Sequence, residues 1–262
     1  MLSIIIVTWN NFEYLKLTIN SILKNSFYNN EILVHVSGNC NKTKEFLKEK
    51  GITYTFSTEN IGLSKAANLV SKLSSNDILC FFDDDMYALP NWDKNLIEFK
   101  SKVPQNSTVC GVMIENNGLI DMNFGNNPSN FDEDNIISEF NNIPNPNGRY
   151  NNSSCPFIID KKIYHKIDGY DEDFSNVGAE LGLAKRIEDT TESINRLYDE
   201  MNVLRGTGLS DDSVEISALG TQVESLRASR RNNIIGVGKL WMARSPHTVG
   251  VLKDELVISF GA

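Results

Sequence analysis

Three adjacent carboxylates, Asp83, Asp84 and Asp85, directly follow the apolar run 78–82. A short apolar run bounded by polar residues is typical of a strand that is buried on both faces. Such a strand cannot hold three carboxylates, because each would need a partner, so the acids are predicted to lie where the strand leaves the sheet. Clustered carboxylates at a strand end suit a hard divalent cation, Mg²⁺ or Mn²⁺, which also takes substrate phosphates as ligands. The alternative is an acidic turn that binds nothing.

The elements that must position these acids alternate between strand and helix. Apolar runs at 2–7, 31–36 and 52–56 predict three further strands, and helical spacing predicts helices at 14–23, 42–50 and 64–74. This order implies a mostly parallel sheet with right-handed crossovers. Ligands of open α/β sheets bind at the carboxyl ends of the strands. Asn10, Asn39, Asn60 and the three acids are therefore predicted to meet at one edge, in a site that would fit a nucleotide.

The remaining part of this region is predicted with less regular elements. Pro90 is expected to open a helix over 91–102, and two strands at 109–114 and 119–122 are joined by an Asn-Gly turn. The Asn-rich and Pro-rich stretch 123–152 is predicted to be a long loop. A strand at 155–159 and a helix at 161–167 follow it.

Composition excludes several classes of protein. The 262 residues carry a net charge of −9, which argues against a general binder of nucleic acid or of a membrane surface. The four cysteines form no CxxC pair, and two of them, Cys80 and Cys110, lie in apolar runs as small hydrophobes, so a reduced, cytoplasmic setting is expected. No apolar run reaches about 18 residues, which predicts no transmembrane segment. A membrane-bound substrate would then require a peripheral visit to the membrane.

Four landmarks in sequence resemble a known family. The stretch 3–10, the loop 60–62, the strand that ends in Asp83-Asp84-Asp85, and the stretch 169–172 together look like a family 2 glycosyltransferase over roughly residues 1–186. The resemblance implies an α/β fold of the GT-A type, that of the nucleotide-diphospho-sugar transferases, with a Rossmann-like, mostly parallel sheet flanked by helices.

The family's site residues can be carried over where this sequence matches its motifs. Asp83 and Asp85 match the DxD pair, of which the first faces the ribose or sugar and the second coordinates the metal. Trp92 matches a position near the acceptor, although a plain core aromatic is an equal alternative. His247 could stand in for a metal-binding His, or be an exposed loop residue. The resemblance implies that the nucleotide sugar contacts Thr8, Trp9, Asn10, Asn60, Gly62, Asn68, Asp83, Asp84 and Tyr87.

The sequence departs from the family pattern at two places. The acid that usually grips uracil at the end of the second strand is absent from 36–39, where Ser37 or Asn39 could hydrogen-bond a base instead. The acidic pair that supplies the catalytic base is reduced to Glu180, which we assign as the base. The alternative is that Glu180 is only an acid favoured by the dipole of a helix N-terminus.

A change in composition near residue 178 marks a seam in the chain. Lys and Asn are frequent before it, whereas Arg exceeds Lys after it. Apolar residues then step by three and four within 187–230, which predicts a helical hairpin on the enzyme domain or a coiled coil between chains of a homo-oligomer. Strands are predicted at 234–241 and 249–260. We therefore divide the chain into a GT-A domain, 1–186, and a helical hairpin with a strand-like tail, 187–262.

Two kinds of function fit these observations. The first is a metal-dependent transfer, with inversion, of a monosaccharide from a nucleoside-diphosphate sugar, expected to be UDP-linked, to a glycan or lipid-linked acceptor. The second is a catalytically degenerate module that binds a nucleotide sugar, or that oligomerises within a surface or virion assembly.

Overall fold

A computed structural model describes residues 1–103, 107–111, 114, 122–125, 127–140, 142, 156–173, 183, 186–187, 241–244 and 248–251. The strands are β1 (Ser3–Trp9), β2 (Glu31–Ser37), β3 (Thr53–Ser57), β4 (Ile78–Phe81), β5 (Met86–Ala88), β6 (Val109–Cys110), β7 (Phe157–Asp160), β8 (Trp241–Arg244) and β9 (Thr248–Val251). The helices are α1 (Phe12–Asn25), α2 (Asn41–Glu49), α3 (Leu63–Ser71), α4 (Trp92–Lys100), α5 (Glu133–Glu139) and α6 (Lys161–Lys166).

The main sheet has the strand order β3-β2-β1-β4-β7-β6. The pairs β1–β2, β1–β4 and β2–β3 are parallel, whereas β7 runs antiparallel to both of its neighbours. This arrangement confirms the predicted mostly parallel sheet flanked by helices. A second, three-stranded sheet has the order β5-β8-β9 and is antiparallel throughout.

Apolar burial explains why these segments form these elements. Strands β1 and β2 are buried on both faces, as their continuous apolar runs predict, and Ile4, Ile6 and Val34 are 0% exposed. Helix α1 buries Leu15 and Ile19 at helical spacing in the hydrophobic core. Each such side chain contributes about 1.5–3 kcal/mol when it leaves water. The central strands are thereby fixed, and with them the loops that follow their carboxyl ends.

Two local predictions require correction, and one strand was missed. Pro90 does not open helix α4, because Asn91 adopts a left-handed conformation (φ 63°) and the helix begins at Trp92. The stretch predicted as a long loop contains helix α5, whose N-cap Asp132 accepts a hydrogen bond from the backbone N–H of Asn135. Strand β5, directly after the acids, was not predicted at all. It is too short to show a pattern of its own, and it pairs with β8 from far along the chain.

The predicted helical hairpin at 187–230 lies outside the described residues except for its first position, and it stays a prediction. Ile187 packs against the core of the preceding domain, as does the buried Leu183. Of the two strands predicted in the tail, 234–241 shares only its last residue with β8, and 249–260 overlaps β9 at 249–251; the rest of both lies outside the described residues. Among the described residues, no helix is long and apolar enough to cross a bilayer.

Candidate active site

The three acids begin two residues after the last regular strand pairing. Residue Ile5 of β1 pairs with Phe81 of β4, and the backbone N–H of Phe82 still donates to the carbonyl of Ile5 at 3.0 Å. Phe81 and Phe82 are buried, whereas the acids that follow are only partly buried. The carboxylates therefore lie at the carboxyl edge of the sheet, as predicted from the apolar run.

The middle acid, Asp84, is turned toward helix α1. Its Oδ1 accepts a hydrogen bond from Asn11 Nδ2 at 3.0 Å, and its carbonyl accepts one from Thr18 Oγ1 at 2.9 Å. Burial raises the pKa of Asp84 to about 7, and the neighbouring charges of Asp85 and Asp83 act in the same direction. Asp84 was predicted to contact the nucleotide sugar. In the structure it instead anchors the acidic loop to α1, which leaves Asp83 and Asp85 as candidate ligands.

The loops after the first three strands also meet at this edge. A methyl group at Gly38, after β2, would lie 3.6 Å from Asn10 Oδ1 and 3.7 Å from Trp9 Cδ1, both at the end of β1. The backbone N–H of Gly38 donates to the carbonyl of Ser57, the last residue of β3, at 2.9 Å. Since Asn11 joins the β1 loop to Asp84, all four loops converge as the topology predicts. Trp9 is 57% exposed, so much of its indole faces solvent at this edge.

The polar groups predicted to meet a base differ in their exposure. Ser37 is 0% exposed, and no described residue hydrogen-bonds its hydroxyl. Asn39 and Asn60 are exposed, and Asn60 Oδ1 accepts a hydrogen bond from the backbone N–H of Gly62 at 2.9 Å. Gly62 has a φ of +82°, which L-residues rarely adopt, and it precedes α3. Hydroxyl and amide groups therefore occupy the place where the family pattern has an acid.

His35 lies beneath this loop, and no pattern in the sequence indicated its role. It is 0% exposed, with Nδ1 2.8 Å from Thr55 Oγ1 and Nε2 3.1 Å from Ser57 Oγ. The Ser57 hydroxyl donates to the carbonyl of Glu59 at 2.5 Å, so it accepts from His35. Burial lowers the pKa of His35, which is therefore held neutral while it supports the 57–62 loop.

A small cavity opens beside the first acid. Tyr170, which the sequence marked only as part of a motif, is the lining residue contributed from furthest along the chain. The cavity is lined by Ile5, Val7, Leu63, Ala67, Phe81, Phe82, Asp83 and Tyr170. The acidic loop, helix α3 and the 169–172 stretch are thus neighbours at one site.

Asn68 was predicted to hold the base and ribose, but the structure gives its side chain other partners. It is 8% exposed, and both its oxygen and its nitrogen hydrogen-bond residues of the segment 164–172. An amide that is engaged on both sides has no group left for a nucleotide. We therefore correct this assignment to a role within the protein.

Two aromatic predictions are corrected by burial. Trp92 is 0% exposed, and its indole N–H donates to Ser26 Oγ at 3.0 Å, so it has no surface for an acceptor. Tyr87 is 1% exposed, and its hydroxyl donates to Glu133 Oε1 at 2.6 Å. Its ring packs on Phe131 with centroids 4.8 Å apart. Tyr87 therefore ties α5 to β5 rather than facing the sugar.

The donor set at the acidic loop fits a hard cation. Among the described residues, no three His, Cys, Asp or Glu side chains are arranged to hold a metal by themselves. Mg²⁺ and Mn²⁺ are instead commonly held by one or two carboxylates with phosphates and water. The raised pKa of Asp84 reflects in part the repulsion among three adjacent carboxylates, which a cation would relieve. Asp83 and Asp85 would hold it. Glu180 and His247 lie outside the described residues.

The mixed sheet with its flanking helices, and acids at the carboxyl edge beside β4, define a fold of the GT-A type. Residues 3–167 match the model of glycosyl transferase family 2. The chain belongs to this family, because the match covers more than half of its length. Comparison with curated protein sequences gives no match.

Solved structures of TarS from S. aureus share this fold. One TarS structure has 18% sequence identity and a TM-score of 0.52, and the match covers 71% of this chain but 33% of that one. TarS 1–349 has 16% identity and a TM-score of 0.53, with coverage of 86% and 70%. TarS 1–349 in complex with UDP-GlcNAc has 17% identity and a TM-score of 0.51, with coverage of 71% and 53%. Identity this low shows the fold alone.

Proposed function

We propose that this chain transfers a monosaccharide from a nucleoside-diphosphate sugar, with UDP as the nucleotide, to a glycan or lipid-linked acceptor. The observation that carries the proposal is the convergence of an exposed Trp9 and the Asp83–Asp85 loop at one sheet edge. Family membership supports a glycosyltransferase, and we propose the hexosyl type. Structures of TarS with UDP and with UDP-GlcNAc support the choice of donor.

The edge offers groups for each part of such a donor. The exposed indole of Trp9 would stack on the base, an interaction worth about 1–3 kcal/mol. Asn39, which is exposed, would replace the absent acid as the hydrogen-bond partner of the base edge, because an amide can both donate and accept. Ser37 was predicted to share this role, but it is 0% exposed and its hydroxyl is buried beneath the loop. Asn10 and Asn60, exposed like Asn39, would complete the nucleoside subsite.

Asp83 and Asp85 would hold Mn²⁺ or Mg²⁺ against the diphosphate. When bound, the cation would supply positive charge that stabilises the leaving nucleoside diphosphate. The protein's own contribution is to fix the loop, through Asn11 and Thr18, before the donor arrives. Thr8, which is 2% exposed, ends the buried part of β1 beneath this loop.

Displacement at the anomeric carbon, with inversion, requires a base for the acceptor hydroxyl. We assign that role to Glu180 and keep His247 as a candidate further metal ligand, both from the family pattern. Self-association through 187–230, a peripheral visit to a membrane-bound acceptor and a cytoplasmic setting complete the proposal. The described cysteines Cys40, Cys80 and Cys110 form no disulfide bond, which suits a reducing compartment.

The first experiment is a calorimetric titration of UDP into the protein with and without Mn²⁺. Asp85→Asn should lower the Mn²⁺-dependent affinity about 100-fold, because it removes a charged ligand of the cation. Asp77→Asn is the matched control, since Asp77 is exposed and precedes β4 at the opposite edge. Unchanged Mn²⁺-dependent binding by Asp85→Asn would refute the metal site. UDP binding without turnover of any UDP-sugar would favour the degenerate module.

A further inference from the structure

A buried amide joins helix α3 to a segment about a hundred residues further along the chain. Asn68 Oδ1 accepts hydrogen bonds from the Tyr164 hydroxyl at 2.6 Å and from the backbone N–H of Tyr170 at 2.9 Å. Asn68 Nδ2 donates to the carbonyl of Tyr170 at 2.8 Å and to Glu172 Oε1 at 3.1 Å. Both lone pairs and both N–H groups of the amide are thereby used. A side chain satisfied in this way fixes its partners in one arrangement.

The segment that Asn68 holds is a turn of unusual backbone geometry. Asp168 and Gly169 both have positive φ, of 58° and 66°. A methyl group at Gly169 would lie 2.3 Å from Asn68 Oδ1, which is far inside contact distance. Arg186 Nη1 also donates to the Gly169 carbonyl at 3.4 Å. The turn therefore packs closely against the Asn68 amide, and its backbone conformation depends on that amide.

This turn lies beside the carboxyl edge of the main sheet, where we propose that the donor binds. Tyr170 shares the lining of the cavity with Asp83, and its ring meets Phe81 edge-on at 5.2 Å between centroids. Glu172, two residues further, is exposed. The buried amide that donates to the Glu172 carboxylate also donates to the carbonyl of Tyr170, the residue that lines the cavity with Asp83.

We propose that Asn68 is a positioning residue that fixes the Glu172 carboxylate beside the donor cavity, where Glu172 accepts a hydrogen bond from a hydroxyl of the donor's sugar. The inference rests on the proposed function, since it assumes a sugar attached to the nucleotide. It also predicts a contact that UDP alone cannot make. The gain in affinity of a UDP-sugar over UDP is therefore the quantity that reports on it.

The test compares calorimetric titrations of UDP and of UDP-GlcNAc, UDP-glucose and UDP-galactose, all with Mn²⁺ at pH 8. The wild type is expected to bind at least one UDP-sugar more tightly than UDP. Glu172→Gln and Asn68→Asp should each reduce that gain about 10-fold while UDP affinity stays unchanged, since a hydrogen bond to a charged group is lost or misplaced. Asn20→Asp, an exposed position on α1, adds the same charge and is the control. An undiminished gain in both variants overturns the proposal.

The pH dependence of UDP-sugar binding by Asn68→Asp distinguishes a positioning role of Asn68 from a general loss of structure. In Asn68→Asp two carboxylates would face each other, so the pKa of the pair rises, and at pH 5.5 a protonated carboxyl at position 68 can again donate to Glu172. Among the described titratable and charged groups, the Tyr164 hydroxyl and Glu172 hydrogen-bond the side chain at position 68, and Arg186 binds the neighbouring Gly169 carbonyl. We therefore expect the gain in affinity of a UDP-sugar over UDP in Asn68→Asp to recover at pH 5.5, when it is compared with the gain of the wild type at the same pH. A variant that is equally impaired at both pH values overturns the positioning role.

Hydrogen exchange tests the same claim without any ligand. Amides of 168–173 should exchange about 10-fold faster in Asn68→Asp than in wild type at pH 8, because the turn loses two of its anchors. The double variant Asn68→Asp/Glu172→Gln should restore part of the protection, since the amide introduced at position 172 can donate to the carboxylate introduced at position 68, while the hydrogen bond to the Tyr170 carbonyl stays lost. Wild-type exchange in Asn68→Asp refutes the positioning role. Failure of the wild type to bind UDP would instead refute the proposed function and leave this measurement valid.

Discussion

Two acidic loops lie at the carboxyl edge of the main sheet, and different contacts hold each of them in place. The loop of Asp83 to Asp85 continues directly from a buried strand, and side chains of the nearby α1 region secure it. The turn at 168–173 follows the short helix α6, and the side chains of Asn68 on α3 and of Arg186 secure it. The first loop takes its position from the main sheet, whereas the second depends on side chains from other parts of the chain.

This difference indicates where substitutions should act. A strand end is fixed by many backbone hydrogen bonds and by buried apolar side chains, so loss of one contact leaves it in place. A turn that relies on one buried polar network loses its geometry when any member fails. Substitutions in the acidic loop should therefore change metal and donor binding. Substitutions in or against the turn should instead change its backbone conformation.

The largest effect on stability is expected from Gly169→Ala. The added methyl group meets Asn68 Oδ1 at 2.3 Å and Tyr164 Cζ at 2.8 Å, and the φ of +66° disfavours any side chain. Together these should lower the free energy of unfolding by about 3 kcal/mol, measured by urea denaturation. Gly51→Ala is the control, because it has the same φ of +66° with nothing within 4 Å, and it should lose about 1 kcal/mol. Equal losses would mean that the amide does not confine the turn.

A smaller effect, on UDP binding alone, is expected from Trp9→Ala at the end of β1. Removal of the stacking surface should weaken UDP binding by about 2 kcal/mol in calorimetry, with little change in melting temperature, because the side chain is largely exposed. Phe27→Ala is matched in exposure at 57% but lies past the end of α1, away from the acids. Equal UDP affinity in Trp9→Ala and wild type would exclude the indole from the base subsite.

The smallest effect concerns His35 beneath the 57–62 loop. Burial lowers its pKa below the ordinary value of 6.5, so the unfolded chain binds the proton more readily. Stability is therefore full above about pH 6.5 and falls as the pH drops toward the folded pKa, by at most about 1.4 kcal/mol per pH unit. His35→Gln should flatten this part of the profile in urea titrations between about pH 5 and 7. The same slope in both proteins would show that another group causes it.

The sequence allowed much of the parallel sheet to be predicted, because its strands are apolar runs and its loops carry turn residues. Helix α5 was missed since its polar composition resembles a loop, and its stability comes from Asp132 and from packing on Tyr87. Strand β5 was missed because its partners lie far along the chain. Aromatic patterns did not reveal that Trp92 is buried.

A site residue could be predicted from the sequence where its position depends on the residues next to it in the chain. Asp83 and Asp85 follow a recognisable strand, and the structure leaves them at the expected edge. The orientation of Asp84 depends on Asn11, and the engagement of Asn68 depends on residues 164–172. Such long-range hydrogen bonds leave no periodic signal in a sequence, which is why they could not be predicted.

The reversed direction of β7 has a consequence for how this enzyme can change. Strand β6 ends and β7 begins at the same edge of the sheet, and the backbone N–H of Gly111 donates to the carbonyl of Pro156 at 3.0 Å. The chain between these two residues therefore departs from and returns to neighbouring points that a hydrogen bond holds together. Doubling the length of such an excursion costs only about 0.6 kcal/mol. The chain between β6 and β7 can therefore change in length, in evolution or by design, without moving the acids that follow β4.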